Sequence, residues 1–349
     1  MTALKTADRH RGLLTRDSGM VASKTKLEAL DQPSSAWNSL AFSTRQRDPF
    51  CCSSTWQLSF HEGFSPGRRL FVNHSGDSLI AFAEKAFSTK NVYLTPIEPL
   101  WFFGANILGV HGFDLLDDTL ADFEKIYHPY FPKILVGAIA PRGKAFNEIK
   151  RKFSDRFELR RHTSGIQCGA SLAGGLDGYL SRRSGNHRKK LKKFHRKATE
   201  AGVKFERHSP SSAVEAKYTY ARMLAIENTS WKGSLGSGII ERKFYAVLLR
   251  RLAASQAARV IFVTHENKDI GFIFGGMARN VYRGQQFSYD DEWDRYSIGN
   301  LLQIEQIKWL CEEGATRYDM GPLLDAGMGY KSHWTEKRFR IETWLLEKK

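Results

Sequence analysis

The chain has 349 residues, a length that fits two domains of ordinary size better than one. Its 42% hydrophobic and 12% aromatic residues can fill two cores, and its 26% charged residues exclude a chain that is disordered throughout. No apolar run approaches the roughly 20 residues of a membrane span, and we find no secretory signal. Four cysteines are too few and too scattered for a disulfide framework or a zinc site. We therefore expect a soluble, cytoplasmic protein without a metal.

The charge is strongly basic, with 53 Lys and Arg against 37 Asp and Glu and a formal net charge of +16. Nine of the cations fall between Arg182 and Lys197, a stretch that contains no acid. Leu191, Phe194 and Ala198 form a narrow apolar stripe at helical spacing there, which leaves the cations on the remaining faces. This segment could bind tRNA or another nucleic acid, steer an anionic substrate, or only face solvent.

The first half begins with residues 1–35, which we expect to be a disordered basic tail because they are polar and lack a sustained period. A strand, a tight turn and a second strand are expected between Arg69 and Lys85. Strands that alternate with helices then predict an α/β or α+β domain. The further elements expected are an aromatic loop at 100–104, helices near 119–130 and 144–153, and strands near 133–140 and 157–162.

The second half repeats this alternation. The pattern Phe71-Val72-Asn73-His74 recurs as Phe262-Val263-Thr264-His265, 191 residues later, which favours two related domains. Gly202 is expected to end the basic helix as a C-cap. Helices are expected at 186–200, 212–228, 240–254 and 297–313, and strands at 203–207, 259–264, 270–277, 282–289, 317–320 and 339–346.

A strand that ends at Tyr289 and a helix that starts near Ser297 form a candidate phosphate site. Ser297 is a suitable N-cap, and the first turn of a helix offers amide groups and a positive dipole end to an anion. Gly299 would let a phosphate approach the backbone. The alternative is an ordinary capped helix.

Two further segments contain residues that could act in catalysis or in binding. Glu227, at the end of a predicted helix, could deprotonate an amine, and Trp231 could exclude water from a pocket, although it could equally be a core residue. Near the C-terminus, Lys331 follows a glycine turn and could pair with a phosphate or a carboxylate, or simply face solvent.

In their order along the chain, these segments resemble the GNAT acyltransferase superfamily. The resemblance is closest to its tandem, Fem-like branch, including acetyltransferase-like proteins of cellulose and exopolysaccharide synthesis. It implies two tandem GNAT-like domains at residues 36–165 and 166–349, each with a mixed, mostly antiparallel sheet flanked by helices. The motifs that carry it are Trp101-Phe102-Phe103-Gly104, Ser230-Trp231-Lys232-Gly233, Ser297-Ile298-Gly299-Asn300-Leu301-Leu302, Tyr318-Asp319-Met320-Gly321 and Gly329-Tyr330-Lys331.

The resemblance implies an N-acyltransferase that moves an acyl group from acetyl-CoA or another acyl-CoA to an amine without a covalent enzyme intermediate. The donor would be held by Gln286, Phe287, Ser288, Tyr289, Ser297, Ile298, Gly299 and Asn300. The acceptor would meet Trp231, Lys232, Arg283 and Tyr330, and the catalytic candidates are Glu227, Asp290, Asp319 and Lys331.

One departure and two alternatives accompany this reading. The segment from Tyr296 to Asn300 has fewer glycines than the usual phosphate loop of the superfamily and lacks its leading Gln or Arg. In the Fem-like branch the donor is an aminoacyl-tRNA, and a lysine placed like Lys331 contributes to transfer. The chain could also be a non-catalytic protein that binds nucleic acid or acts in a polysaccharide pathway.

Overall fold

The computed structural model describes residues 21–23, 35–43, 48–235, 238–239, 242–323 and 329–349. The expected disordered tail, residues 1–35, lies outside these ranges except for Ser35 and a short strand, β1 (Val21–Ser23). That strand pairs with residues 70–72, which departs from the expectation of disorder.

The first half starts with helices that the sequence patterns did not predict. Asp48 accepts a hydrogen bond from the Cys51 amide, and Ser53 accepts one from the Trp56 amide, so two capped helices follow each other directly. The elements are α1 (Ser35–Ser43), α2 (Pro49–Cys52), α3 (Ser54–Phe64), β2 (Leu70–Ser75), β3 (Ser78–Ser88), β4 (Asn91–Thr95), β5 (Ile107–Gly109), α4 (Gly112–Tyr127), β6 (Lys133–Ile139), α5 (Lys144–Phe153) and β7 (Phe157–Ser171).

The second half follows the expected order closely. Gly202 has a φ of +76° just after the basic helix, which confirms the glycine C-cap. The elements are α6 (Gly175–Ser181), α7 (Gly185–Glu200), β8 (Lys204–His208), α8 (Ala213–Asn228), α9 (Trp231–Ser234), α10 (Lys243–Ala254), β9 (Ala258–His265), β10 (Lys268–Ala278), β11 (Val281–Tyr289), a 3-10 helix (Asp291–Tyr296), α11 (Ile298–Glu312), β12 (Arg317–Pro322), α12 (Lys331–Trp334) and β13 (Lys337–Lys348).

The strands of the described residues form one sheet whose two sides have the same topology. The order is β1-β2-β3-β4-β6-β13-β7-β12-β11-β10-β9-β8, with β5 paired to β3. On one side the antiparallel meander β2-β3-β4 is followed by α4 and by β6, parallel to β4; on the other, β9-β10-β11 is followed by α11 and by β12, parallel to β11. The repeated Phe71 and Phe262 patterns occupy equivalent strands, so the expected tandem architecture is confirmed.

The last strand of each side lies against the other side. β13 pairs with β6 and with β7, and β7 pairs with β12, so the centre of the sheet contains the last strand of each half. The boundary expected between residues 165 and 166 falls inside β7. The two sides are therefore joined by main-chain hydrogen bonds as well as by packing.

Helices cover both faces of the second side. Phe262, Phe272 and Phe274 pack on one face against α8 and α10. On the opposite face, Ile261 and Ile273 pack against α7 and α11. Alternate residues of the strands thus fill two separate cores, and the edge between β11 and β12 lies between the two helical layers.

Candidate active site

The two parallel strands of the second side separate after a short register. β11 and β12 pair at only three positions, from Val281 with Arg317 to Arg283 with Asp319. β11 then continues to Tyr289, and its pairing with β10 shifts by one residue, which leaves Gln285 as the extra residue of a bulge. The diverging strands create an opening along the edge of β11 that faces away from β10.

Hydrogen-bond alternation shows which groups face this opening. The Asp290 amide donates to the carbonyl of Ile270, so this pair belongs to the hydrogen-bonded set of the β10–β11 ladder. In an antiparallel ladder every second pair has its amide and carbonyl groups turned away from the partner strand. The main-chain groups of Phe287 and Tyr289 therefore face the opening.

Lys232 reaches into the opening from α9. Its ammonium group donates to the Phe287 carbonyl and to Gln286 Oε1 at 3.1 Å, and it lies 4.9 Å from the centre of the Phe287 ring. Gln286 Nε2 donates in turn to the hydroxyl of Tyr245 at 2.8 Å. Burial lowers the pKa of Lys232 to about 8, and the nearby Glu227 carboxylate partly opposes that shift.

Glu227 is the carboxylate beside this lysine. It lies at the C-terminal end of α8, is 1% exposed, and its Oε1 accepts from the Ile239 amide at 2.8 Å. Its Oε2 has no hydrogen-bond partner among the described residues. A Cβ at Gly238 would lie 1.7 Å from Glu227 Oε1 and 3.5 Å from Lys232 Cδ, so both side chains pack against one glycine.

The other strand of the opening leads to Tyr330 and Lys331. Lys331 is buried and donates to the carbonyl of Pro322, at the end of β12, so the alternative that it simply faces solvent is wrong. Its contact with a phosphate stays a prediction. The ring of Tyr330 packs edge-on against Phe287 of β11, with 6.0 Å between the centroids. Burial raises the pKa of Tyr330 to about 12.

The start of α11 differs from the sequence prediction. Ser297 has a φ of +57° and makes no side-chain capping bond, so its expected role as an N-cap is wrong. The reason is that the preceding 3-10 helix ends on this residue, whose amide bonds the Asp294 carbonyl. Ile298 is buried, Asn300 is half-buried, and a Cβ at Gly299 would lie 3.1 Å from the Phe287 and Tyr289 rings.

Ser288 lies between Phe287 and Tyr289 on β11, and Asp290 comes directly after this strand. Asp290 is buried, accepts from the Glu292 amide at 3.1 Å and lies 3.5 Å from Lys268, so its carboxylate caps the 3-10 helix. Ser288 is buried, and its hydroxyl has no partner among the described residues. Trp231 is half exposed, which excludes the core alternative, and its amide bonds Asp291.

A second ionic cluster lies where β11 and β12 still pair. Arg283 is 3% exposed and forms a 3.1 Å ion pair with Asp48, which precedes α2 in the first half. Asp319 is bonded to Arg317, and burial raises the pKa of Asp319 to about 6. Arg283 is therefore a buried link between the two halves of the chain, not a surface group open to an acceptor.

The basic helix α7 presents its charges to solvent. Six of its cations have no carboxylate within 4 Å among the described residues, whereas Arg196 lies 3.7 Å from Glu200. Leu191 and Ala198 are buried, as the stripe predicted. The six cations are Arg188, Lys189, Lys190, Lys192, Lys193 and Lys197.

The sequence missed two residues that shape the site. Tyr245 lies in the buried face of α10 and has the sequence pattern of an ordinary core aromatic, and Asp48 is 235 positions from its partner Arg283.

In the parts of the chain that the structure describes, no cluster of three His, Cys, Asp or Glu could hold a metal. Within the same residues, no helix has the length and apolar character to cross a membrane. The four cysteines are unpaired.

An antiparallel meander, a helix and a parallel strand that diverges from the meander define a fold of the acyltransferase type. Residues 185–332 match the family model for the acetyltransferase (GNAT) domain, a match that begins at the first residue of α7. The resemblance to GNAT proteins is thereby confirmed, and the domain indicates a transferase.

Solved structures extend the likeness to the whole chain. FemX has a TM-score of 0.64 at 12% identity, covering 88% of this chain and 94% of that one. L-PGS from Bacillus licheniformis has a TM-score of 0.56 at 15% identity, with 95% and 94% covered. A conserved protein of unknown function from Bacteroides thetaiotaomicron has a TM-score of 0.64 at 10% identity, with 93% and 99% covered. At these identities the likeness shows the fold; no curated protein sequence matches the chain.

Proposed function

We propose that the chain is an N-acyltransferase that moves an acyl group, acetyl in the simplest case, from acyl-CoA to an amine acceptor. The observation that carries this proposal is the open edge of β11. Its main-chain groups at Phe287 and Tyr289 face a gap between two parallel strands, with Lys232 and Glu227 beside them. An acceptor that takes part in envelope or exopolysaccharide metabolism, such as an amino sugar, would fit this proposal.

The residues around the opening suit an acyl-CoA. The pantetheine arm carries two amides, which can pair with the main-chain groups of Phe287 and Tyr289 as an added strand would. The first turn of α11 offers amides and a positive dipole end to the pyrophosphate. The hydroxyl of Ser288 and the side-chain amide of Gln285 supply further polar atoms without a partner among the described residues.

The chemistry requires a neutral amine, a proton acceptor and donors for the developing oxyanion. Glu227 is the best-placed proton acceptor, because its Oε2 is buried and has no hydrogen-bond partner among the described residues. The main-chain amides at the open edge and the Lys232 ammonium are the donors. Transfer is then direct, with no acyl group on Glu227. Asp290 and Asp319 serve the cap and the ionic cluster in this proposal.

A binding measurement with acetyl-CoA tests the proposal. Calorimetry should show one site per chain, and the donor at 100 times its dissociation constant should stabilise the fold by about 2.7 kcal/mol. Thiol release with a panel of amines and amino sugars would then identify the acceptor class. Absence of both binding and thiol release contradicts the proposal.

An aminoacyl-tRNA donor is the second candidate, and α7 is the observation that favours it. Six exposed cations with no carboxylate partner in the described part of the chain form a surface suited to a phosphate backbone, and FemX shares the fold. Binding of charged tRNA that weakens steeply with salt, with transfer of the aminoacyl group, would favour this donor over acyl-CoA. Binding of nucleic acid without any transfer would instead favour a non-catalytic role.

A further inference from the structure

Lys232 is an amine that the chain itself places in the opening. Its Nζ touches the Phe287 carbonyl, which faces the same edge along which the donor arm would lie. The Phe287 ring, 4.9 Å away, and the Trp231 ring, 5.8 Å away, flank the ammonium group. An acyl carbon brought to this edge would therefore meet Lys232 at the place where an acceptor amine is required.

A proton acceptor lies beside this amine. Glu227 and Lys232 pack against the same glycine, Gly238, and Glu227 Oε2 has no hydrogen-bond partner among the described residues. Burial lowers the pKa of Lys232 to about 8, so the neutral, nucleophilic form is far more accessible than that of an ordinary lysine.

We propose that Lys232 is a self-acylation site, at which the chain transfers the acyl group of acyl-CoA to its own Nζ. This inference rests on the proposed function, because acyl-CoA is the donor. The neutral Nζ attacks the thioester carbonyl, a C–N bond forms, the C–S bond breaks, and Nζ loses a proton to Glu227. The thiolate leaves and takes up a proton, so the products are an amide on Lys232 and free CoA thiol.

The product would be stable and uncharged. An amide is a much weaker acyl donor than a thioester, so modified Lys232 would not pass its acyl group to an acceptor. Acylation would also remove the ammonium group that donates hydrogen bonds to Gln286 Oε1 and to the Phe287 carbonyl. Self-acylation therefore removes one of the donors of the opening and lowers transfer to other amines.

The chain supplies an internal control. Lys189 and Lys193 of α7 are exposed, whereas Lys232 is half-buried in the opening. Simple chemical acylation favours exposed lysines over the half-buried Lys232, whereas a reaction in the opening favours Lys232. The ratio of the two kinds of site thus separates the mechanisms within one sample.

The experiment is a time course of the full chain with acetyl-CoA, read by peptide mass spectrometry. We expect Lys232 to be acetylated at least tenfold faster than Lys189 or Lys193, and this preference to disappear in urea. Glu227→Gln should slow the reaction at Lys232 at least tenfold, whereas Lys217→Arg, a change at an exposed position of α8, should leave it unchanged. Circular dichroism checks that both variants are folded.

The outcomes separate this inference from the proposed function. If acetyl-CoA binds and an added amine is acetylated, but Lys232 reacts no faster than the α7 lysines, self-acylation is overturned and the proposed function stands. If the chain neither binds acetyl-CoA nor releases thiol, both fail. Preferential, urea-sensitive acetylation of Lys232 supports both.

Discussion

The equivalent parallel strands of the two halves end in different ways. In the first half, β4 and β6 pair at Tyr93 with Lys133 and at Leu94 with Ile134. Beyond these pairs, the Asn106 side chain bonds the edge of β6 that β4 no longer covers. Its Nδ2 donates to the Leu135 carbonyl at 3.1 Å, and its Oδ1 accepts from the Gly137 amide at 2.9 Å. In the second half, the side chain that enters the opening is a lysine, and it bonds β11, the equivalent of β4, rather than β12.

This difference shows how one topology can support either structure or chemistry. An asparagine amide held by main-chain bonds on β6 seals the first opening, and Asn106 is itself buried. A lysine ammonium beside a buried glutamate leaves the second opening polar and reactive. We infer that the first half stabilises the fold while the second half does the chemistry, and each prediction below tests this division.

The buried link between the halves should give the largest effect. Asp48→Asn removes the charge that forms an ion pair with Arg283, which is 3% exposed, and leaves a buried cation without its ion-pair partner. We expect a loss of about 3–5 kcal/mol in the free energy of unfolding, measured by urea denaturation. Glu158→Gln, which breaks an exposed pair with Arg160, should have a far smaller effect, because water and salt screen that pair. Equal effects of the two variants would argue against a buried link.

The reactive opening should give the largest effect on catalysis. Glu227→Gln keeps an oxygen for the Ile239 amide but removes the proton acceptor, so we expect kcat to fall by about 10²–10⁴-fold. The melting temperature should change little. Glu266→Gln, at an exposed turn between β9 and β10, is the matched control and should retain full activity. An active Glu227→Gln enzyme would remove Glu227 from the mechanism.

The sealed opening should matter for stability alone. Asn106→Ala leaves the Leu135 carbonyl and the Gly137 amide buried without a partner, at about 1–3 kcal/mol for each group. We therefore expect the free energy of unfolding to fall by about 2–4 kcal/mol, while KM and kcat at permissive temperature stay within twofold. A selective change in KM would show that the first half contributes to substrate binding.

The sequence predicted local features far better than long-range partners. The hairpin of the first half, the three consecutive strands of the second half, the strand that follows each helix and the glycine cap of α7 follow from short patterns with clear periodicity. Glu227, Lys232 and Gln286 were each candidates, and the fold brings them together although they come from three separate elements. Asp48 could not be predicted as the partner of Arg283, because no local pattern links positions so far apart.

Two expectations that the structure contradicts, an N-cap at Ser297 and a solvent-facing Lys331, have a common physical cause. Ser297 has a good N-cap residue type, but a 3-10 helix runs into it and fixes its backbone at positive φ. Lys331 has the sequence context of an exposed lysine, yet the end of β12 offers it a carbonyl to bond. In both cases the preceding or neighbouring backbone, not the residue itself, decides which groups remain available.

Glu98, which accepts hydrogen bonds from the amides of the aromatic loop, should make the stability of the fold depend on pH. Burial raises the pKa of Glu98 to about 7, although the amides of residues 100–103 oppose the shift. The native state then holds a proton that the unfolded chain loses above its ordinary pKa, so stability should fall as pH rises from about 4.5 to 7. From pH 5 to 7 we expect a loss on the order of 2 kcal/mol.

Glu98→Gln should remove this slope, because the amide does not titrate. Unfolding curves of wild type and variant at pH 5, 6 and 7 check the prediction, with Glu266→Gln as the exposed control. Parallel curves for wild type and Glu98→Gln would contradict it.

The smallest expected effect is on the association rate of the donor, and it comes from the exposed cations of α7. Its control variant lies in the first half, so the test compares the two halves directly. Replacing Lys189, Lys190, Lys192 and Lys193 with Gln removes four charges from the helix that packs on α11. If these charges steer an anionic donor toward the opening, the association rate should fall several-fold at 0.01 M salt. The effect should shrink as the Debye length decreases from about 30 Å to about 8 Å at 0.15 M.

A matched variant separates position from net charge. Replacing four exposed lysines of the first half with Gln removes the same charge far along the sheet from β11, and should slow association much less. These control lysines are Lys85, Lys90, Lys125 and Lys144. If both quadruple variants slow the donor equally, only the net charge matters and α7 has no steering role. If the α7 variant instead abolishes tight, salt-dependent tRNA binding while acyl-CoA binds to neither protein, the aminoacyl-tRNA donor replaces acyl-CoA, because each lost phosphate contact lowers the salt slope by about 0.7–0.9.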